Sequence, residues 1–507
     1  MLRIPLRIAV APSPRHLSLS LSLQRMRKIG TIPNSPHTSI PPPLPPTSPL
    51  SAPDTPPRPA KAVGDISSIF PSLSSNPTPP TPLPQRFADV KANLIQNTSP
   101  ETLQASWDKL LSELAKELVE IRKLGSDVIP AVDYKDLKDA ERDKKMLQEI
   151  RKRGAVIVKG VMGEGEVLQM KDQVKKYLQD NQGRVKAFPA TSPSVYEIYW
   201  SPPQIRARTH PNLLTTHRFL LSSLFASPLP DSQINLTNPL SYADRLRIRP
   251  PGDARFALGP HVDAGSVERW EDPTYASAYS PIWAGNWPSY DPFSAEGMEM
   301  RERGVLDMYN GAGACSMLRL WQGWLSLSHT SPGEGTLRVF PLLKQSTAYI
   351  LLRPFFSPDA TTGKWTFTNP ITSALPGSIP SFTQELNPTT HPHLALDNGG
   401  MVSMPTVKPG DYVAWHGDAI HAVESIHAGK GDSSVFYIPA VPDSLRNREF
   451  LKRQREEMET GGVPPDFPGA GVETEGERGW AGKGGWEHVH EEGDRRVLGW
   501  GLREGEE

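Results

Sequence analysis

His261-Val262-Asp263 puts an imidazole and a carboxylate two positions apart, and a second imidazole, His421, follows far downstream. Alternate residues of a strand share a face, so His261 and Asp263 can address one point in space. Two histidines and one carboxylate on one face of a metal ion form the facial triad of non-haem Fe(II) oxygenases, which leaves positions open for a co-substrate and O₂. A lone His-x-Asp is most often a surface pair. Here three features agree in order: the triplet, the Gly410-Asp411 turn, and a later histidine with strands between. Two histidines follow that turn. His416 stands beside Trp415 at the end of a strand pattern. His421 stands past the loop Gly417-Asp418-Ala419-Ile420, where the chain can turn toward a metal, and is the better ligand candidate.

Strands must bring these groups together. Arg245-Leu246-Arg247-Ile248-Arg249 alternates polar and apolar residues, the period of a half-buried strand. Further strands are predicted over residues 318–327, 335–340, 348–352, 412–416 and 433–439. Lys408-Pro409-Gly410-Asp411 reads as a turn feeding one of them. Short strands separated by Gly/Pro turns suggest a sandwich or jelly roll, whose strand ends surround one mouth. Residues 357–401 are polar and Pro-rich and read as a long loop or lid. Ahead of the strands, Ser99-Pro100-Glu101 is a helix start. Leu103, Trp107, Leu110, Leu111, Leu114, Leu118 and Ile121 then recur at helical spacing up to Gly125. Helices are also predicted over residues 134–153 and 164–178, with a short buried strand at 154–160. The expected fold is mainly β with flanking helices, the N-terminal helices forming a buttress for the sheet.

Composition bounds the rest. The net charge of −1 favours neither nucleic acid nor membrane surfaces. A single cysteine, Cys315, excludes an intrachain disulfide and a cysteine-built zinc site. No run of 18 apolar residues predicts a spanning helix. Residues 1–30 carry Arg3, Arg7, Arg15, Arg25, Arg27 and Lys28, and the first acid is Asp54. That is the composition of a mitochondrial transit peptide, with a plain basic tail as the alternative. The location expected is intracellular, mitochondrial or cytoplasmic. Residues 31–85, dense in Pro, Ser and Thr, read as a disordered linker. Residues 86–475 read as a single domain, and 476–507 as a loosely ordered acidic, Gly-rich tail.

Longer motifs carry a resemblance. Tyr196-Glu197-Ile198-Tyr199-Trp200-Ser201-Pro202, Leu258-Gly259-Pro260-His261-Val262-Asp263, Ser266-Val267-Glu268-Arg269-Trp270-Glu271-Asp272-Pro273, Gln322-Gly323-Trp324-Leu325 and His421-Ala422-Val423-Glu424 look like the DUF1479 family. So does Ser433-Ser434-Val435-Phe436-Tyr437-Ile438-Pro439. That family is grouped with Fe(II)/2-oxoglutarate-dependent dioxygenases of clavaminate-synthase-like fold. The resemblance implies a double-stranded β-helix of the jelly-roll, cupin-like kind. It also implies Fe(II) held by His261, Asp263 and His421, 2-oxoglutarate as co-substrate, and O₂ and a small molecule as partners. It names no substrate.

One departure matters. Many such relatives bind the far carboxylate of 2-oxoglutarate with an arginine shortly after the distal histidine. Here residues 431–436 hold none, and Ser433 and Ser434 are the polar groups. A buried dianion still needs a charge partner, best a bidentate guanidinium. Arg247, Arg319, Arg338 and Arg353 lie on predicted strands. Arg338 and Arg247, with Ser434, are the candidates chosen. Two other readings stay open: a cupin-like metalloenzyme that does not use 2-oxoglutarate, and a non-catalytic binding protein on the same fold. His391-Pro392-His393 reads as surface loop. The aromatic cluster Trp283, Trp287, Tyr290 and Phe293 reads either as a pocket roof or as ordinary packing.

Overall fold

Two sheets hold the site between them. In the larger, strand Tyr412–His416 pairs antiparallel with Ala155–Lys159 on one side and Trp321–Ser326 on the other. Trp321–Ser326 continues to Ser433–Tyr437, and that strand to Leu246–Arg249, again antiparallel. The smaller sheet has five antiparallel strands in the order Gln384–Glu385, His261–Val262, His421–Val423, Leu337–Val339, Val402–Ser403. The computed structural model describes residues 60–61, 64–70, 72, 82–255, 257–263, 265–312, 314–472, 475–481, 489 and 495–500. All of them belong to one unit, Pro59–Glu507.

Local sequence explains the close contacts. Gly323 lies where the Tyr412 side chain crosses the neighbouring strand, and a Cβ there would run into the Tyr412 hydroxyl. That hydroxyl donates to the Ile438 carbonyl at 2.5 Å, tying three elements together. The expected turn at Lys408-Pro409-Gly410-Asp411 is present. Gly410 has φ +94°, and a side chain there would collide with the Met162 carbonyl. Asp411 fixes the turn by accepting from the Lys408 and Gly160 amides.

Helix Pro100–Leu124 buttresses the sheets. Ser99 Oγ accepts from the Thr102 amide, proline takes the first turn, and Gly125 caps the end. Leu103, Trp107, Leu110, Leu114, Leu118 and Ile121 are buried along one stripe. Trp107 stacks on Tyr349 and Phe356, with ring centroids 5.2 and 4.6 Å apart.

Four expectations are corrected. Residues 348–352 are not a strand; they end helix Leu343–Leu352, which is buried nearly all round. A short apolar run with no exposed face carries no period to read. Residues 134–153 are not one helix: a 3₁₀ turn Tyr134–Asp136 and a short helix Leu137–Ala140 precede Lys144–Arg153. Asp143 restarts the helix by accepting from the Lys145 and Met146 amides. The stretch 357–401 contains strand Trp365–Phe367, paired with Phe356–Pro358, and strand Gln384–Glu385, paired with His261–Val262. Within it His391 is buried rather than on the surface, beside Tyr349. His393 stands edge-on to Trp107 and Trp365.

The ends also differ from the reading of composition. Residues 1–30 lie outside the described residues. Inside the stretch read as linker, Lys61 is buried on Asp307 and Ile66 and Phe70 are buried in an apolar cluster. Inside the stretch read as tail, Glu477 is buried. Composition averages over a segment, and single anchoring contacts escape it.

Candidate metal centre

His261 and His421 are register partners across the small sheet, so both side chains leave the same face. Their rings lie 4.1 Å apart. Asp263 follows the strand by one residue and turns its carboxylate toward both: Oδ1 is 3.3 Å from His261 Nε2 and Oδ2 is 3.6 Å from His421 Nε2. One ligand atom from each residue falls within 4.8 Å of the other two. Among the described residues this is the one cluster of at least three such groups with that geometry.

The far side of each imidazole is fixed by backbone. His261 Nδ1 lies 2.6 Å from the Gly259 carbonyl and His421 Nδ1 3.1 Å from the Ala419 carbonyl. A carbonyl only accepts, so each Nδ1 carries a proton, and each Nε2, on the Asp263 side, is the nitrogen left to bind a metal. The donor set is two imidazoles and a carboxylate on one side of a point, which suits a divalent first-row metal and leaves the opposite side open. His416 is not part of it. It lies among Phe225, Phe293 and Trp321, and its Nδ1 accepts from the Asp418 amide.

Burial and charge set the protonation. Burial works against the charged form of all three groups. At Asp263 the neighbouring His421 and His261 outweigh it and hold the carboxyl well below its usual range. At His261 the hydrogen bond and charge of Asp263 outweigh burial, and its pKa rises. At His421 burial, helped by His261, wins and lowers it. The carboxylate therefore stays ionised across ordinary pH.

Two supports were not singled out from sequence for this role. Gln322, on the inner face of Trp321–Ser326, donates from Nε2 to Asp263 Oδ2 at 2.5 Å. Its Oε1 is buried with no hydrogen-bond partner among the described residues. The loop before His421 is held through Asp418, which accepts from Arg301 at 2.7 Å and from the Tyr279 hydroxyl at 3.2 Å. The run Gln322-Gly323-Trp324-Leu325 marked the place, but only the register shows that Gln322 faces Asp263.

The triad opens into a cavity of about 120 Å³ between the two sheets. Gln322 and Tyr437 face it from the large sheet, Leu337 and Val423 from the small one, and Arg245 and Arg319 from just before their strands. Ile66, Ile69 and Phe70 close one wall, with the Phe70 ring edge-on to His261 at 4.9 Å. The aromatic cluster Trp283, Trp287, Tyr290 and Phe293 does not line it and is core packing.

The three proposed co-substrate residues divide by register. Arg338 pairs with Ala422, while its neighbours Leu337 and Val339 pair with Val423 and His421. Arg338 therefore leaves the opposite face and donates to the Met401 carbonyl. Ser434 pairs with Ile248 and also faces away, its hydroxyl donating to Asp432. Arg247 pairs with Val435 and faces inward. It lines a second, smaller cavity with Ser433 and Thr336, which shares Leu337, Val423 and Tyr437 with the first. Arg353 lies elsewhere, over the Trp365 ring.

A Gig2-like family model matches residues 81–500. The chain is 30% identical over 397 residues to the uncharacterized protein YbiU of Escherichia coli (strain K12), covering 75% of this chain and 88% of the relative. Among solved structures it resembles GlcNAc Inducible Gene 2, GIG2 (DUF1479), of Candida albicans. The identity is 32% and the TM-score 0.73, over 83% of this chain and 90% of that one. It also resembles a Salmonella typhimurium LT2 protein named provisionally as an oxidoreductase, at 28% identity and a TM-score of 0.68, over 82% and 96% of the two chains.

Proposed function

The chain belongs to the Gig2-like family, and from that premise we propose that it is an Fe(II)- and 2-oxoglutarate-dependent oxygenase of a small molecule, built on a double-stranded β-helix. The observation that carries the reading is the His261–Asp263–His421 cluster, with both Nδ1 atoms held by carbonyls and one side facing a cavity. The donor set fits iron by type and by geometry. When bound, the metal and 2-oxoglutarate supply the activation of O₂ and the oxidation of a substrate C–H bond.

This chain's residues do the positioning. The Gly259 and Ala419 carbonyls keep the imidazole protons away from the metal side. Gln322 fixes one carboxylate oxygen of Asp263, so the other is set toward the metal. Phe70 covers the His261 edge and keeps water from that wall.

The co-substrate anchor in this reading is Arg247. It stands on the strand beside Ser433–Tyr437, at the level of Val435, and so reaches the region that a distal arginine would occupy in other relatives. Thr336, on the opposite wall of the same small cavity, has a buried hydroxyl with no hydrogen-bond partner among the described residues. A carboxylate there would give that hydroxyl an acceptor and Arg247 a bidentate partner.

The test is anaerobic calorimetry of the Fe(II)-loaded protein with 2-oxoglutarate. The reading expects binding in the wild type and a loss of at least tenfold in Arg247→Gln. Absence of 2-oxoglutarate binding in the iron-loaded wild type would favour the cupin-like alternative.

A further inference from the structure

The triad cavity is lined by Arg245 and Arg319, apart from Arg247, which lines the adjoining cavity and serves the co-substrate. Arg319 precedes strand Trp321–Ser326, at the end where Gln322 meets Asp263. Arg247 lies at the other end, because it pairs with Val435 and Val435 pairs with Ser326. Gln322 and Ser326 are four residues apart, about 13 Å along a strand. The two guanidinium groups therefore flank the triad from opposite directions.

Charge bookkeeping around the cavity leaves Arg319 over. Arg245 is 3.3 Å from Asp244. Asp307 holds Lys61 at 2.5 Å. Glu268 accepts from the Ser266 amide. Asp263 belongs to the triad. Among the described residues the Arg319 guanidinium makes no ion pair within 4.0 Å and no side-chain hydrogen bond; it lies 5.6 Å from the Tyr242 ring and feels the charges of Asp263 and Asp244 only at longer range. Arg319 is half-buried, and its side chain lines the triad cavity and a smaller one beside His416 and Asp418. A guanidinium at a cavity wall, without an ion-pair partner and beside an aromatic ring, is a receptor for a planar anion. The walls next to it are apolar or aromatic: Phe70, Leu306, Tyr242 and Phe467. The acids on the same walls would repel a dianion more strongly than a monoanion.

Resting on the oxygenase reading above, we infer that the substrate is a small organic acid whose carboxylate is bound by Arg319. Its hydrocarbon body lies against Phe70 and Leu306, with a C–H bond presented to the metal side of the triad. Arg319 sets specificity, and Arg247 serves the co-substrate.

The experiment uses the full chain loaded with Fe(II) and 2-oxoglutarate without O₂, titrated with acid and amide pairs: benzoate and benzamide, 3-phenylpropionate and 3-phenylpropanamide, hexanoate and hexanamide. At least one acid is expected to bind about tenfold or more tightly than its amide. Arg319→Gln should bring that acid to the level of the amide and leave 2-oxoglutarate affinity unchanged. Arg319→Lys, which keeps the charge but not the fork, should fall between. Thermal melts of both variants report whether they fold. The inference is overturned if no acid outbinds its amide, or if the preference survives in Arg319→Gln. It is also overturned if that variant loses 2-oxoglutarate instead. A wild type that prefers acids through Arg319 but binds no 2-oxoglutarate sinks the oxygenase reading and leaves the anion site standing.

Discussion

Gln322 is the residue on which the metal geometry turns. Its amide nitrogen donates to Asp263 Oδ2 at 2.5 Å, and its amide oxygen is buried. Groups that hold a ligand in this way commonly account for 10- to 100-fold in metal affinity. Gln322→Leu is therefore expected to weaken Fe(II) or Co(II) binding by about that factor while the melting temperature stays near the wild type. An unchanged affinity would show that Asp263 needs no such partner. At this scale the sequence was readable where a period of two suffices. His-x-Asp declares a shared face by itself. Arg338 and Ser434 were misplaced for a related reason: a shift of one residue exchanges the faces of a strand. The residues beside them, Leu337 and Ser433, are the ones that face inward. Without the pairing register, neighbours on a strand cannot be told apart.

At the scale of elements, the loop from His416 to His421 is held by a buried charge network. Burial would push the Asp418 carboxyl up, but Arg301, His416 and Arg269 outweigh it and bring its pKa down to about 2, from an ordinary 3.8. A depressed carboxyl stabilises the fold above its unfolded pKa, and that stability is lost as pH falls through the folded value. The window is thus about pH 4 down to 2, and the contribution is about 2 kcal/mol. Asp418→Asn leaves Arg301 buried without its partner, so it should destabilise by about 3 kcal/mol at pH 7. The gap between variant and wild type should close toward pH 2. Thermal midpoints at pH 7 and at pH 3 decide it; a gap independent of pH would mean the carboxylate charge contributes nothing. Metal affinity should fall with the same substitution, since the loop presents His421. Most elements here were legible: the capped helix from Pro100, the Gly410 turn and the strands around them. Helix Leu343–Leu352 was not, because burial on all sides erases the amphipathic stripe that separates helix from strand.

Over the whole molecule, both ends of the described chain are fastened to the body. Lys61 is buried against Asp307, and Phe70 packs on His261, so the segment after the Pro-rich stretch forms part of the cavity wall. At the other end Glu477 accepts from the Tyr177 hydroxyl and from the Tyr199 amide, linking the tail to a helix and to the Tyr196–Pro202 motif. Complete burial raises its carboxyl to about 7, against an ordinary 4.5, although the Tyr177, Tyr199 and Trp200 donors pull the other way. A raised carboxyl contributes stability below its unfolded pKa and loses it as pH rises through the folded value. Some 3 kcal/mol should disappear between about pH 4.5 and 7. Glu477→Gln, neutral throughout, should therefore gain in thermal midpoint over the wild type on going from pH 5 to pH 8; a constant difference would contradict this. These anchors were invisible in composition, where a Pro-rich or Gly-rich average hides the few side chains that dock. The central claim, that His261, Asp263 and His421 hold one metal, is tested most directly by anaerobic Fe(II) titration of the wild type and of Asp263→Ala. The account expects one equivalent bound by the wild type and a severe loss in the variant; equal affinity in the two proteins would contradict it.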